Sequence, residues 1–203
     1  MQLSWYGQSY FKIEGKNATV LLDPFTKDIG LKAPKSKSDL VVLSHDSKYL
    51  DKSHDDAFLI DGPGEYEVKE VFVQGIKSLN KKEEPNTVYI IGMEDMSIAF
   101  LGSFGEKELN EKQLELLGDA DIVLLPVGDK TVLNAKEAVN VISQIEPKII
   151  IPMFYKTSGI KVDLEGADKF LKEVGIKPEK TDKLKIVKKE LPAEESKLYI
   201  IES

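Results

Sequence analysis

The chain has 203 residues and is 41% hydrophobic and 31% charged, which is globular, too apolar for disorder, and suited to one domain, residues 1–203. A formal net charge of −7 argues against nucleic acid as a partner, and no apolar run approaches the ~20 residues that span a bilayer. The absence of cysteine excludes disulfides, thiolate metal sites and a cysteine nucleophile; with no basic, cleavable leader at the N-terminus, a cytoplasmic protein is expected.

Strand-like segments fill the first half. Residues 3–5, 10–13 and 18–22 are short apolar stretches separated by Gly or Asn, as in a meander. Residues 39–43 carry the continuous run Leu40-Val41-Val42-Leu43 and read as a buried strand. Residues 58–60, 66–68 and 71–75 follow. Residues 87–92 and 97–101 flank Met93-Glu94-Asp95-Met96, a hairpin turn.

Helical periodicity then takes over. Residues 110–117 form a helix that Gly118 can end. Residues 122–126 are a buried strand. Residues 134–145 repeat Ala135, Ala138, Val139, Ile142 and Ile145 at helical spacing, with Asn134 as N-cap. Residues 148–151 are a short buried strand closed by Pro152. Residues 163–174 place Leu164, Ala167, Phe170, Leu171 and Val174 on one helical face, and Gly175 ends it. Residues 183–187 and 198–201 close the chain as strands. The lysines between Lys177 and Lys189 read as gatekeepers of a solvated edge strand. Antiparallel strands first, then strand–helix alternation, then strands predict an α+β fold, with two packed sheets and helices outside them.

Four segments carry a resemblance. The first is residues 3–13, Leu-Ser-Trp-Tyr-Gly-Gln-Ser-Tyr-Phe-Lys-Ile. The second is Leu21-Leu22-Asp23-Pro24-Phe25. The third is Ser44-His45 followed by Asp61-Gly62-Pro63-Gly64-Glu65-Tyr66-Glu67. The fourth runs from Gly102 through Leu125-Pro126-Val127-Gly128 to Ile151-Pro152-Met153-Phe154-Tyr155-Lys156-Thr157. Together they resemble the metallo-β-lactamase superfamily, in its compact branch of Zn-dependent hydrolases similar to the lactonases of ascorbate metabolism. The resemblance implies a four-layer αβ/βα sandwich with a metal site on loops at one edge of the sheets.

The family's ligands fail to carry over. The motif His-x-His-x-Asp-His begins at His45, and its later ligands fall on Ser47, Tyr49 and Leu50. The next His falls near Asn80, the bridging Asp on Ser103, and the closing His on Phe154. Of these seven positions only His45 keeps its ligand. Catalytic zinc needs about three protein ligands and an open position for water. Ser47 and Asn80 are poor ligands, Leu50 and Phe154 cannot coordinate, and Tyr49 must first ionise. No cofactor is therefore predicted, although zinc serves the active relatives.

Alternatives remain beside that reading. His45 with Asp46, Asp23 or His54 could make a new site of two His and a carboxylate. Asp23 could orient a ligand His, or simply be a turn residue before Pro24. Ser44 and Ser103 lack a nucleophile context and read as turn or strand-end hydroxyls. Residues 61–65 read as a tight turn. Tyr49, Leu50, Phe104, Phe154 and Tyr155 either line a vacated apolar pocket or fill core. The expected cleft groups Asp23, His45, Asp46, Phe154 and Tyr155. The expected function is a non-catalytic binding or scaffold protein with a protein or small-molecule partner. The alternatives are a metal-dependent hydrolase with a weak or remodelled site around His45, and a structural subunit of a homo-oligomer.

Overall fold

The computed structural model describes residues 1–32, 34, 36–51 and 56–202. The chain opens with an antiparallel meander of β1 (Gln2–Trp5), β2 (Phe11–Glu14) and β3 (Thr19–Leu22). Its register pairs Leu3 with Ile13 and Phe11 with Leu22. Strand alternation decides the faces: Phe11 and Ile13 are buried while Lys12 and Glu14 are half-exposed. β4 (Leu40–Val42) and β5 (Phe58–Ile60) then add in parallel. With β13 (Leu184–Lys185) beside β1, the first sheet has the order β13-β1-β2-β3-β4-β5.

The second sheet begins antiparallel, with β6 (Gly64–Val68), β7 (Val71–Leu79), β8 (Pro85–Met93) and β9 (Met96–Phe100). Between β8 and β9, Glu94 and Asp95 both have positive φ, 52° and 61°. That backbone twist suits a two-residue hairpin. β10 (Ile122–Pro126), β11 (Ile149–Met153), β14 (Lys197–Ile201) and β12 (Glu179–Thr181) continue the sheet in parallel, giving the order β12-β14-β11-β10-β9-β8-β7-β6.

Parallel neighbours need crossovers, which helices supply. α1 (Glu111–Leu117) and α2 (Ala135–Ile145) both start in capping boxes, Asn110 with Gln113 and Asn134 with Glu137. α3 (Asp168–Val174) ends at Gly175, which takes the left-handed φ of 70°. α1 packs on β8, α2 on β10 and α3 on α2. The result is an α+β sandwich of two mixed sheets.

Several boundaries differ from the sequence expectation. β6 starts at Gly64, inside the expected turn 61–65, the expected strand 183–187 shortens to Leu184–Lys185, and β12 is an added strand. Three further differences have a local cause. α3 starts five residues later than 163, because Glu165 donates to the Gly128 carbonyl and accepts from the Lys156 N–H. The backbone of 163–167 is spent on those loops, and Gly166 is a poor helix former. Pro152 does not close β11 but lies inside it, opposite Leu125. β14 pairs only with Ile149 and Ile150, so the missing N–H costs that side of the ladder nothing. β7 and β8 are longer than expected because they pair with each other from Phe72–Gly92 to Leu79–Pro85.

Two clusters hold the sandwich. The main core includes Leu3, Trp5, Ile13, Val20, Leu22, Val42, Val73, Tyr89, Ile91, Ile98 and Leu124. A second cluster, Tyr10, Leu21, Phe25, Ile29, Val41, Leu43 and Leu50, lies on the other face of the first sheet, as alternation along β3 and β4 requires. Among the described residues this face is covered by the segment 24–51 and its 3-10 turn, Lys27–Ile29, rather than by an α-helix. No helix among the described residues is long and apolar enough to cross a membrane.

Candidate active-site edge

The ends of β3, β4, β7, β9 and β11 and the start of β8 gather at one edge of the sandwich. Thr87 N–H donates to the Ser44 carbonyl at 2.7 Å, and His45 bridges to Asn86, so the two sheets touch directly there. Tyr89 Oη adds a 2.9 Å bond to the Leu43 carbonyl. Burial holds the Tyr89 phenol above its ordinary pKa, so it stays a donor.

Asp23 and Ser44 organise the first-sheet half. Asp23 is buried and has a φ of 42°, at the end of β3. Its Oδ1 accepts the Ser44 N–H at 2.7 Å and its Oδ2 accepts the Ser44 hydroxyl at 2.6 Å. Ser44 Oγ also lies 2.8 Å from His45 Nδ1, which is 3.4 Å from Asp23 Oδ2. Ser44 has one hydroxyl proton, and the short bond to the carboxylate uses it. Oγ then accepts from Nδ1–H, so a neutral His45 keeps Nε2 as its lone-pair nitrogen.

Asn86 organises the second-sheet half. Its Oδ1 accepts from the Ser103 N–H at 2.9 Å and the Ser103 hydroxyl at 3.0 Å. Its Nδ2 donates to Ser78 Oγ at 2.7 Å and to the Leu101 carbonyl at 3.0 Å. The sequence reading missed Asn86, Ser78 and Thr87. A polar Asn-Thr pair opening the apolar run of β8 was the available signal, but nothing local marks it as a hub.

Other expected site residues scatter. Ser47 makes a local turn, with Leu50 N–H on its carbonyl and Tyr49 N–H on its hydroxyl. Tyr49 and Leu50 pack into the cluster on the outer face of the first sheet, and Phe104 belongs to the main core. These three do not line a common pocket. Asn80 shapes the β7–β8 turn: its Oδ1 accepts from Lys82 N–H and Glu84 N–H, and its Nδ2 donates to Glu84. Phe154 is buried with a φ of 55°, and its ring centroid is 6.0 Å from that of His45. Tyr155 turns away and packs on Trp5 at 4.8 Å. Of the expected grouping, Asp23 joins His45 through Ser44, Phe154 sets its ring beside the imidazole, and Asp46 lines the same cleft as His45. His54 lies outside the described residues.

A cleft of about 380 Å³ opens over this edge, lined by Ser44, His45, Asp46, Lys77, Leu79 and Asn86 among others. Asp23, Phe154 and Tyr155 are not part of its wall. His45 is 11% exposed and is the imidazole that the cleft reaches.

Residues 2–154 match the β-lactamase superfamily domain. The chain belongs to this superfamily. Its structure superposes with a TM-score of 0.82 on a Thermotoga maritima protein assigned to the Zn-dependent hydrolases of the metallo-β-lactamase superfamily, with 30% identity over 98% of this chain and 97% of that one. A UPF0173 metal-dependent hydrolase of Methanopyrus kandleri is 26% identical, over 87% of this chain and 94% of its own length. The metallo hydrolase Igni18 of Ignicoccus hospitalis shares the fold, with a TM-score of 0.67 and 16% identity over 99% of this chain and 94% of that one.

The metal that this superfamily member's fold implies does not fit the side chains at the edge. Among the described residues, no group of three or more His, Asp or Glu side chains converges. Asp23 accepts from Ser44 on both its oxygens and sits on the Nδ1 side of His45, away from the lone pair of Nε2. Ser103 Oγ is committed to Asn86, and Phe154 puts an aromatic ring beside the imidazole. Zinc bound here would not find the usual three protein ligands among the described residues.

Proposed function

We propose that this chain is a non-catalytic member of the β-lactamase superfamily that binds a small molecule or a protein at the cleft beside His45. One observation carries the reading: among the described residues the edge offers a single imidazole, and Asp23, Ser44, Asn86 and Ser103 near it are already engaged in hydrogen bonds. A water activated at neutral pH needs a metal held by several ligands, and this donor set does not supply them. Six of the seven positions that the family resemblance assigns to ligands hold Ser47, Tyr49, Leu50, Asn80, Ser103 and Phe154. The reading also takes residues 1–203 as one domain and the protein as cytoplasmic, without nucleic-acid or membrane partners.

A second reading has support of its own. Several curated relatives are named metal-dependent hydrolases, which favours a hydrolase with a remodelled metal site around His45. Metal analysis of protein purified without chelator separates the two. The proposed reading expects substoichiometric zinc, manganese and iron, and no change in Tm with EDTA. Stoichiometric metal that is lost in His45→Ala, with a Tm that falls on chelation, would establish the hydrolase reading instead.

A further inference from the structure

We infer that the edge where this fold family holds metal is, in this chain, a metal-free polar lock that fastens the two sheets together, with Asn86 as its central residue. The inference rests on the reading above only in taking the edge to be without metal.

The lock has two halves that meet. In the first-sheet half, Asp23 fixes Ser44 through both its N–H and its hydroxyl, and Ser44 Oγ accepts a hydrogen bond from His45 Nδ1–H. In the second-sheet half, Asn86 uses both donor protons and both acceptor positions of its amide, on Ser78, Leu101 and Ser103. That is the full capacity of the side chain. The halves join where Thr87 N–H reaches the Ser44 carbonyl and where the Gly102 backbone lies against Ser44. Asp23, Ser44, Asn86 and Ser103 are each no more than 3% exposed. Among the described residues, the buried hydroxyls that lack a partner belong to Ser4, Ser9, Ser38 and Thr157, none of them in this network.

This arrangement does what a shared metal does mechanically. A metal bound by loops from both sheets ties their ends together and contributes its binding energy to folding. Here two buried hydrogen-bond sets, one on each sheet, meet through the backbone bond from Thr87 to Ser44. Such networks specify one arrangement when every member is satisfied, and are costly when one member is removed. Loss of the Asn86 side chain removes the partner of the Ser78 hydroxyl and of the Ser103 N–H and hydroxyl together, while the Leu101 carbonyl keeps its bond from the Phe104 N–H.

The test compares the wild-type chain, Asn86→Ala and Ser103→Ala, all in EDTA so that metal cannot contribute. Tm is measured for each, together with amide hydrogen exchange of Thr87 and of Leu171, whose N–H lies in the distant α3. The expected result is a Tm lower by roughly 5–10 °C for Asn86→Ala and by a smaller amount for Ser103→Ala. Exchange at Thr87 should speed up about tenfold or more relative to Leu171, because the cross-sheet bond opens first. Should Asn86→Ala not accumulate, Ser103→Ala decides by the same two readouts. An unchanged Tm, or a Tm loss in which Thr87 and Leu171 accelerate equally, overturns the lock and makes Asn86 an ordinary buried residue. Metal found in the parallel analysis would defeat the non-catalytic reading, while the variants in EDTA would still report on the hydrogen bonds.

Discussion

Gly102 lies against Ser44: a β-carbon on Gly102 would fall 2.1 Å from Ser44 Oγ and 2.2 Å from Ser44 Cβ. Gly102 also has a φ of 58°, which disfavours any side chain. Gly175 offers a control, because it has a φ of 70° and nothing within 4 Å of its β-carbon position. Gly175→Ala should cost only the backbone term, about 1 kcal/mol. Gly102→Ala should cost at least about 3 kcal/mol, since Ser44 is pinned by Asp23 and cannot retreat. Urea unfolding of the two variants checks the difference. Equal losses would mean that the contact with Ser44 carries no weight.

Much of this fold was legible because burial writes a period into the sequence. The run Leu40-Val41-Val42 and the helical repeat of 135–145 are visible without any long-range knowledge, and so are the capping residues Asn110 and Asn134. The edge was legible only as a set of substitutions relative to a family. That Leu50 and Tyr49 cover the outer face of the first sheet depends on Phe25 bridging to Leu50 across a chain gap of twenty-five residues, which no local pattern reports. Asn86 was invisible for the same reason: its partners come from β7 and from the loop after β9. The shorter α3 was misread because amphipathic spacing continues to Leu164, while tertiary hydrogen bonds at Glu165 override it.

Placing a histidine at position 80 should not bring in a metal. Asn80 accepts from Lys82 N–H and Glu84 N–H and donates to Glu84, so it holds the β7–β8 turn rather than facing the cleft. Asn80→His loses those bonds and should destabilise the chain by about 1–2 kcal/mol. Equilibrium dialysis against zinc should find no gain in binding over wild type. Stoichiometric zinc in the single variant would show that the turn can re-form around an imidazole and that more of the ligand frame survives than the geometry indicates.

Asp121 supports the sandwich at the other end of the second sheet, and its role is pH-dependent. It is 3% exposed. Its Oδ1 pairs with Lys148 Nζ and its Oδ2 with Lys188 Nζ, each at 2.8 Å, and Ser97 N–H donates to Oδ2 at 3.0 Å. Burial alone would raise its pKa, but the hydrogen bonds from Lys148, Lys188 and Ser97 outweigh burial and hold it below the ordinary carboxylate value. A lowered folded pKa stabilises the fold fully above the unfolded value near 4 and loses that contribution as pH falls through the folded value. Both lysines are about half exposed, so the ion pairs are screened and the effect is modest. Asp121→Asn should cost about 1–2 kcal/mol at pH 7, and less at pH 3, below the ordinary carboxylate value. Urea unfolding of both proteins at the two pH values checks it. A difference that does not shrink with acid would assign the cost to packing instead.

Phe154 reverses a common rule about glycine. The residue holds a buried ring beside His45 on a backbone with a φ of 55°, and its N–H is spent on the Gln8 carbonyl at 2.8 Å. A large-to-small change at a buried phenylalanine costs about 3–5 kcal/mol, and Phe154→Ala should fall in that range because Ala keeps the unfavourable left-handed backbone. Glycine elsewhere is worse than alanine by its extra unfolded-state entropy, up to about 1 kcal/mol. At this position it is relieved of the left-handed penalty of about 1–2 kcal/mol. Phe154→Gly should therefore be as stable as Phe154→Ala or more so, despite removing one more carbon. Denaturant midpoints of the two variants decide the point. If Phe154→Gly is clearly the weaker protein, the ring alone accounts for the stability contributed at residue 154, and the backbone there is unstrained.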